Sequence, residues 1–236
     1  MNFNQVLFVG TGGTGGILAP LVCRLMEYHS LGTTNITLCD GDIFEPHNAN
    51  RQLANEQTLG KNKATVTAQM IYEQGLEIPN VIPNYLSSSS FKRELDAEDN
   101  GTIMIILAVD NDATRAMTLN VLEEHKRDFV WISPGNAGAD DPASAIKGQV
   151  IWYGRIGDQT LGLHPAELFP NIAQPSDHVP KKGTCSAQAP SSPQLLSANA
   201  AAAALTLAVI QNILDCQLPD SGNTVYFNYR NFTTSL

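Results

Sequence analysis

Cationic charge is scarce in this chain. Fourteen Lys and Arg stand against 23 Asp and Glu, for a formal net charge of −9 and a pI near 4.9 over 236 residues. A general electrostatic grip on nucleic acid or on an anionic membrane is not expected from that balance, because such surfaces need clustered excess cation. Cysteine is also sparse. Cys23, Cys39, Cys185 and Cys216 form no C-x-x-C pair, which leaves neither a zinc knuckle nor a thioredoxin-type redox pair. The histidines show no i, i+4 pairing, so no metal site is assigned to them. No linker rich in Pro, Gly or charge splits the chain into comparable halves, no internal repeat is found, and no cationic, cleavable leader is expected. The apolar stretch around Ala198–Ile213 is short, Ala-rich and flanked by Asn and Gln, which suits a buried helix rather than a membrane span. These absences point to one large α/β domain in a reducing cytoplasm.

Against that background the opening segment stands out. Val6-Leu-Phe-Val9 is a short apolar run that breaks into Gly10-Thr-Gly12-Gly13-Thr-Gly15. A helix from Gly13 to about His29 follows, with Ile17, Leu21, Leu25 and Tyr28 on one face. Strand, glycine turn and helix together let backbone N–H groups and a helix N-terminus approach a phosphate. The turn alone does not choose among NAD, FAD, ATP and the adenosine of another cofactor.

Further along, Asn35–Cys39 reads as a second strand, Leu59 to about Gln74 as a helix, Val81–Tyr85 as a strand and Ser87–Ser90 as a low-complexity turn. Ile103–Val109 is continuously apolar, as a central parallel strand buried on both faces must be. Helix 112–126 and strand 129–132 come next. The alternation predicts a doubly wound, mostly parallel Rossmann-like α/β sheet with helices on both faces. After Pro134 the pattern changes to a loop at 135–144, a strand at 148–153, a long irregular crossover at about 157–192, a helix at 197–215 and a late strand at 225–229. An irregular stretch of that length is more often a functional crossover or lid than filler.

The second strand ends in Asp40-Gly-Asp42, where an acid accepts hydrogen bonds from ribose hydroxyls. An NAD-dependent oxidoreductase fits this equally well. The next segment separates the readings. Asn48-Ala-Asn-Arg51-Gln52 and Gly60-Lys61-Asn-Lys63 place one guanidinium and two ammonium groups within thirteen residues of a cation-poor chain. A pyrophosphate cradled by glycine amides needs little more cation, whereas a triphosphate attacked at its α-phosphorus needs charge neutralised along its length. Arg offers a planar fork for this and Lys a point charge. Asp110-Asn111 then leaves the central strand at the sheet edge where ligands bind, offering a carboxylate for Mg²⁺. Arg115, at the start of the next helix, reads equally as a brace for Asp110 or as a catalytic cation.

These five motifs, in this order over roughly residues 5–135, resemble the E1-like superfamily, which includes ThiF, MoeB and the adenylation domains of ubiquitin-activating enzymes. The resemblance implies ATP and Mg²⁺ as cofactors and adenylation of the C-terminal carboxylate of a ubiquitin-like or sulfur-carrier protein. Carried over motif by motif, Gly10, Gly12, Gly13 and Gly15 form the nucleotide turn and Asp40 holds the ribose. Asn48 and Arg51 bind the phosphate chain, Lys63 neutralises the α-phosphate, and Asp110 coordinates Mg²⁺. Asp42, Gln52 and Asn111 match the pattern as further nucleotide-binding positions. Residues 1–135 then form the nucleotide-binding half and 136–236 a carrier-binding half. A homodimer is implied as well.

Cys185 lies in the crossover beside Lys181 and Lys182, which favour its thiolate. By the resemblance it accepts the activated carrier as a thioester or forms an acyl persulfide, then passes it to an E2-like protein or a sulfur donor. Cys23 and Cys39 read as core residues. Relatives often carry an N-terminal helix whose arginine reaches the partner subunit's ATP. Here the chain opens on the first strand, which leaves the source of that charge open. A separate catalytic-cysteine domain does not fit in 236 residues, so the resemblance is to a small, bacterial or mobile-element type. Three alternatives remain: an NAD-dependent oxidoreductase, a non-catalytic scaffold of the same fold and, within the enzyme class, adenylation of a small peptide or a tRNA-linked substrate, as some E1-like relatives do.

Overall fold

Unbroken burial starts the sheet. Strands β1 (Gln5–Val9) and β4 (Ile103–Leu107) are buried at every position and run parallel in register from Gln5↔Ile103 to Val9↔Leu107. On the other side of β1 lies β2 (Asn35–Cys39), also parallel, from Gln5↔Asn35 to Val9↔Cys39. Outside these, β3 (Asn80–Ile82) pairs with β2, and β5 (Phe129–Asn136) pairs with β4. The order β3-β2-β1-β4-β5 reverses between β1 and β4, and such a reversal opens a crevice at the C-terminal strand ends. The sheet then turns antiparallel through β6 (Gly148–Ile156), β8 (Thr224–Asn228) and β9 (Thr233–Ser235), with β7 (Gln159–Leu161) folded back on β6. The computed structural model describes residues 1–30, 34–97, 101–136, 148–181, 195–218, 222–228 and 233–236.

The helices are α1 (Gly13–Ser30), α2 (Lys63–Glu73), α3 (Ser88–Asp96), α4 (Asp112–Glu124), the short α5 (Pro165–Leu168) and α6 (Pro170–Ala173), and α7 (Leu196–Leu214). Successive strand residues point to opposite faces, so each strand feeds two cores. Val6, Phe8, Met104 and Ile106 pack on the side of α1, α2 and α7. Leu7, Val9, Ile105 and Leu107 pack on the other, with Phe91 and Leu95 of α3 and Leu119 and Leu122 of α4. The architecture is a mostly parallel, Rossmann-like α/β sheet with helices on both faces.

Several boundaries differ from the sequence expectation. Helix α2 begins at Lys63 rather than near Leu59, because Asn62 caps it by accepting from the Thr65 N–H at 3.0 Å. Strand β3 stops at Ile82, where Pro83 removes a ladder donor. The serine run is not a turn: Ser87 and Ser90 form a reciprocal capping box that starts α3. The described part of the irregular segment contains β7, α5 and α6.

Candidate active site

One cleft of about 1160 Å³ opens at the strand reversal. Its floor is the glycine turn. Gly10 has φ +88°, a left-handed conformation, and a Cβ there would stand 2.5 Å from the Ala108 carbonyl oxygen. A Cβ at Gly15 would overlap the Gly10 carbonyl. These two glycines shape the turn. Gly12 is different: a Cβ there would meet only the Gln52 amide nitrogen, at 3.7 Å, so this glycine presents its backbone to the cleft.

Three longer helices, α1, α2 and α4, begin at this cleft. Helix α2 is capped by Asn62, which accepts from the Thr65 N–H, while its Lys63 N–H donates to the Asp42 carbonyl at 2.9 Å. At α4 the first amides are already taken. Asp177 accepts from the Asp112 and Ala113 N–H groups at 2.8 and 2.7 Å, and Asn111 accepts from Thr114 at 2.9 Å. Helix α1 has no acidic residue in its first turn, so the positive end of its dipole stays available at Gly13.

Asp40 binds the turn directly. Its Oδ2 accepts from the Thr11 N–H at 2.7 Å and hydroxyl at 3.1 Å, and its Oδ1 accepts from the Asp42 N–H at 2.9 Å. Burial pushes the Asp40 carboxyl above the usual carboxylate range, with Lys63 pulling the other way. Asp42 is clamped between Lys63 Nζ, at 3.2 Å, and the Tyr85 hydroxyl. Lys63 is only 7 % exposed, so Asp42 fixes where its ammonium sits at the cleft wall. Burial and the Asp42 contact raise the Tyr85 phenol further above its ordinary value.

Asn48, 3 % exposed, accepts from the Glu45 N–H at 3.0 Å and closes the short turn Pro46–Asn48. Arg51 and Gln52 follow and both line the cleft. Gln52 Oε1 is buried with no donor among the described residues, and no partner is found there for the Arg51 guanidinium. Lys61 is exposed and does not line the cleft, so two of the three expected cations converge on it.

Asp110 is exposed within the cleft. Asn111 lies beside it, with its oxygen committed to capping α4. Arg115 does not brace Asp110. It donates to Ser133 Oγ at 2.9 Å, Asp112 Oδ1 at 2.7 Å and the Val109 carbonyl at 2.6 Å, and so stitches β4 to β5. Among the described residues no three His, Cys, Asp or Glu side chains form a metal cage. Mg²⁺ needs none, since it takes one or two carboxylates with substrate phosphates and water. Asp110 fits that share.

The cleft therefore gathers Gly10, Gly12, Gly13, Asp40, Asp42, Asn48, Arg51, Gln52, Lys63, Asp110 and Asn111 along its wall. Gly15 stands behind it as a packing position. Cys185 lies outside the described residues, and so does Lys182. Cys23 and Cys39 are buried, and burial pushes both thiols up to about 12, which keeps them protonated. Tyr85, Asp177 and Ser133 were not anticipated. For Tyr85 a signal existed in Gly41, where a Cβ would stand 2.5 Å from the Tyr85 ring.

A glycine turn, an acid at the end of the second strand and a crevice at the strand reversal define a Rossmann-like fold of the nucleotide-binding class. The ThiF family profile matches residues 1–232, and the chain belongs to that family. Solved structures share the fold. PaaA superposes with a TM-score of 0.62 at 16% identity, covering 98% of this chain and 62% of its own. MccB of E. coli, solved with ATP, gives 0.63 at 14%, with the same coverage. The tRNA N6-threonylcarbamoyladenosine dehydratase TcdA of E. coli gives 0.58 at 16%, covering 91% of this chain and 87% of its own. The chain thus spans 62% of the PaaA and MccB chains, and at these identities the likeness is one of fold. No curated protein matches the chain.

Proposed function

We propose that this protein binds ATP with Mg²⁺ and adenylates the C-terminal carboxylate of a ubiquitin-like or sulfur-carrier protein. The observation that carries the reading is the convergence of Arg51, Lys63 and Asp110 on the cleft whose floor is the Gly12–Gly13 turn. A dinucleotide has no need of that set. Fold neighbours support it: MccB has been solved with ATP and with AMPCPP plus MccA, and TcdA with AMP.

In this reading the backbone at Gly12 and the open N-terminus of α1 receive the phosphates. Arg51 and Lys63 neutralise them, and Asp40 accepts from the ribose. Asp110 would hold Mg²⁺, which supplies further charge neutralisation on the polyphosphate. The attacking carboxylate is ionised at neutral pH, so the chain needs no general base. Its task is to align a carboxylate oxygen with the α-phosphorus opposite the departing pyrophosphate. The Cys185 thiolate then attacks the acyl-adenylate and expels AMP, giving a thioester that passes to an E2-like protein. Where a sulfur donor has first loaded Cys185 with a persulfide, its outer sulfur attacks instead and again expels AMP. Two copies of the chain make up the working enzyme, in the cytoplasm.

ATP–pyrophosphate exchange tests the reading, run with a panel of ubiquitin-like and sulfur-carrier proteins bearing free C-termini. Exchange with one of them is expected for the wild type and is expected to vanish in Lys63→Ala. A wild type inactive with every carrier would leave the scaffold alternative standing. A non-reducing gel then checks for an adduct that Cys185→Ser abolishes, and sedimentation checks the dimer.

A further inference from the structure

Helix α7 opens with an alanine run, Ala198 to Ala204, broken by one polar residue, Asn199. That amide is fully buried, at 0 % exposure. Its Oδ1 accepts from Asn136 Nδ2 at 2.6 Å and from the Thr14 hydroxyl at 3.3 Å. These two donors fix which way the amide faces and turn its Nδ2 toward Gly13. A Cβ at Gly13 would overlap that nitrogen and stand 2.9 Å from Asn199 Cγ. The Nδ2 donor itself has no partner among the described residues.

An unpaired, fully buried donor is costly, and apolar neighbours on both sides show that the helix could carry alanine here. The donor lies at the N-terminus of α1, where backbone N–H groups already concentrate positive potential. It therefore adds to the field that attracts an anion, while its bulk presses on the turn that receives one. Position 13 is glycine to admit this amide, whereas at Gly12 a Cβ would meet nothing nearer than 3.7 Å, though both line the cleft.

We infer that Asn199 is the positioning residue of the glycine turn: it holds Gly13–Thr14 from the helix that follows the crossover, so that nucleotide affinity is set from the second half of the chain. This rests on the proposed binding of nucleotide at the turn.

Melts and nucleotide titrations on wild type, Asn199→Ala, Gly13→Ala and the double variant test it. Without nucleotide, Gly13→Ala is expected to lower Tm sharply in the native background and far less beside Asn199→Ala, where the obstructing amide is gone. Asn199→Ala alone is expected to keep Tm within a few degrees yet weaken ATP–Mg²⁺ binding about tenfold, as loss of a positioning group does. Equal Tm losses in the two backgrounds overturn the inference, and so does unchanged nucleotide affinity in Asn199→Ala. A wild type that binds NADH in place of ATP–Mg²⁺ sinks the adenylation reading alone, and the NADH affinity of the same variants then decides for Asn199. A wild type that binds neither overturns both.

Discussion

Asp40 accepts three hydrogen bonds inside the molecule, and on the proposed reading it accepts more from a ribose. Burial is the larger influence on its proton and raises the pKa above the ordinary 3.8, while Lys63 opposes it. In the window between the unfolded and folded pKa the native state holds more proton than the unfolded chain, so stability falls as pH rises through that window. Below the unfolded pKa the cost is gone. Wild type is therefore expected to gain Tm relative to Asp40→Asn as pH is lowered from neutral toward about 4. Paired melts read this, and a difference that stays flat contradicts an ionised, buried Asp40 at neutral pH. Nucleotide affinity is expected to move the other way, since protonation removes an acceptor. At this scale the sequence exposed Asp40, Arg51, Lys63 and Asp110, because each sits in a short motif next to a strand end. It did not expose Tyr85 or Asn199, which reach the site from 43 residues beyond Asp42 and 185 beyond Thr14.

Among the elements, the site depends on which helix ends are left open. Asp177 closes α4 with two short bonds, which draws the segment after α6 onto the cleft, where Pro180 forms part of the wall. Asp177→Ala is expected to cost about 1 kcal/mol, as loss of a helix-capping carboxylate does. It should also speed limited proteolysis between α6 and α7. A variant as stable and as protease-resistant as wild type would show that the carboxylate does not fasten the segment. Strands β1 and β4 were legible because burial on both faces makes them continuously apolar. Helix α3 was not, because its start is written in serines whose capping role depends on the Phe91 and Leu95 packing further along. Short α5 and α6 begin at prolines in a stretch with no apolar period.

At the scale of the whole molecule, the sheet is fastened at the end opposite the cleft. Arg127, 7 % exposed, donates to Gln5 Oε1 at 2.7 Å, the Leu95 carbonyl at 3.1 Å and the Gly101 carbonyl at 3.1 Å. It thereby joins β1, α3 and the approach to β4. Arg127→Ala is expected to cost about 3 kcal/mol, because it leaves buried acceptors without donors. Denaturant unfolding measures this, and a cost no larger than that of an exposed substitution would rule out the bracing role. ATP–Mg²⁺ affinity in that variant is expected to stay near wild type, since the brace lies far from Gly12. The doubly wound half of the fold was legible from its alternating pattern. In the antiparallel extension, β6 and β8 were legible only as separate strands, since nothing local in them specifies their partners, and the three-residue β9 was not legible at all.

The central claim is that the cations of this cleft serve a triphosphate. Calorimetric titration of wild type and Arg51→Ala with ATP–Mg²⁺ and with NADH tests it most directly. Wild type is expected to bind ATP–Mg²⁺ and not NADH, and Arg51→Ala to lose at least about tenfold in ATP affinity, as loss of a charge-assisted contact does. Tight NADH binding that is indifferent to Arg51 would contradict the account.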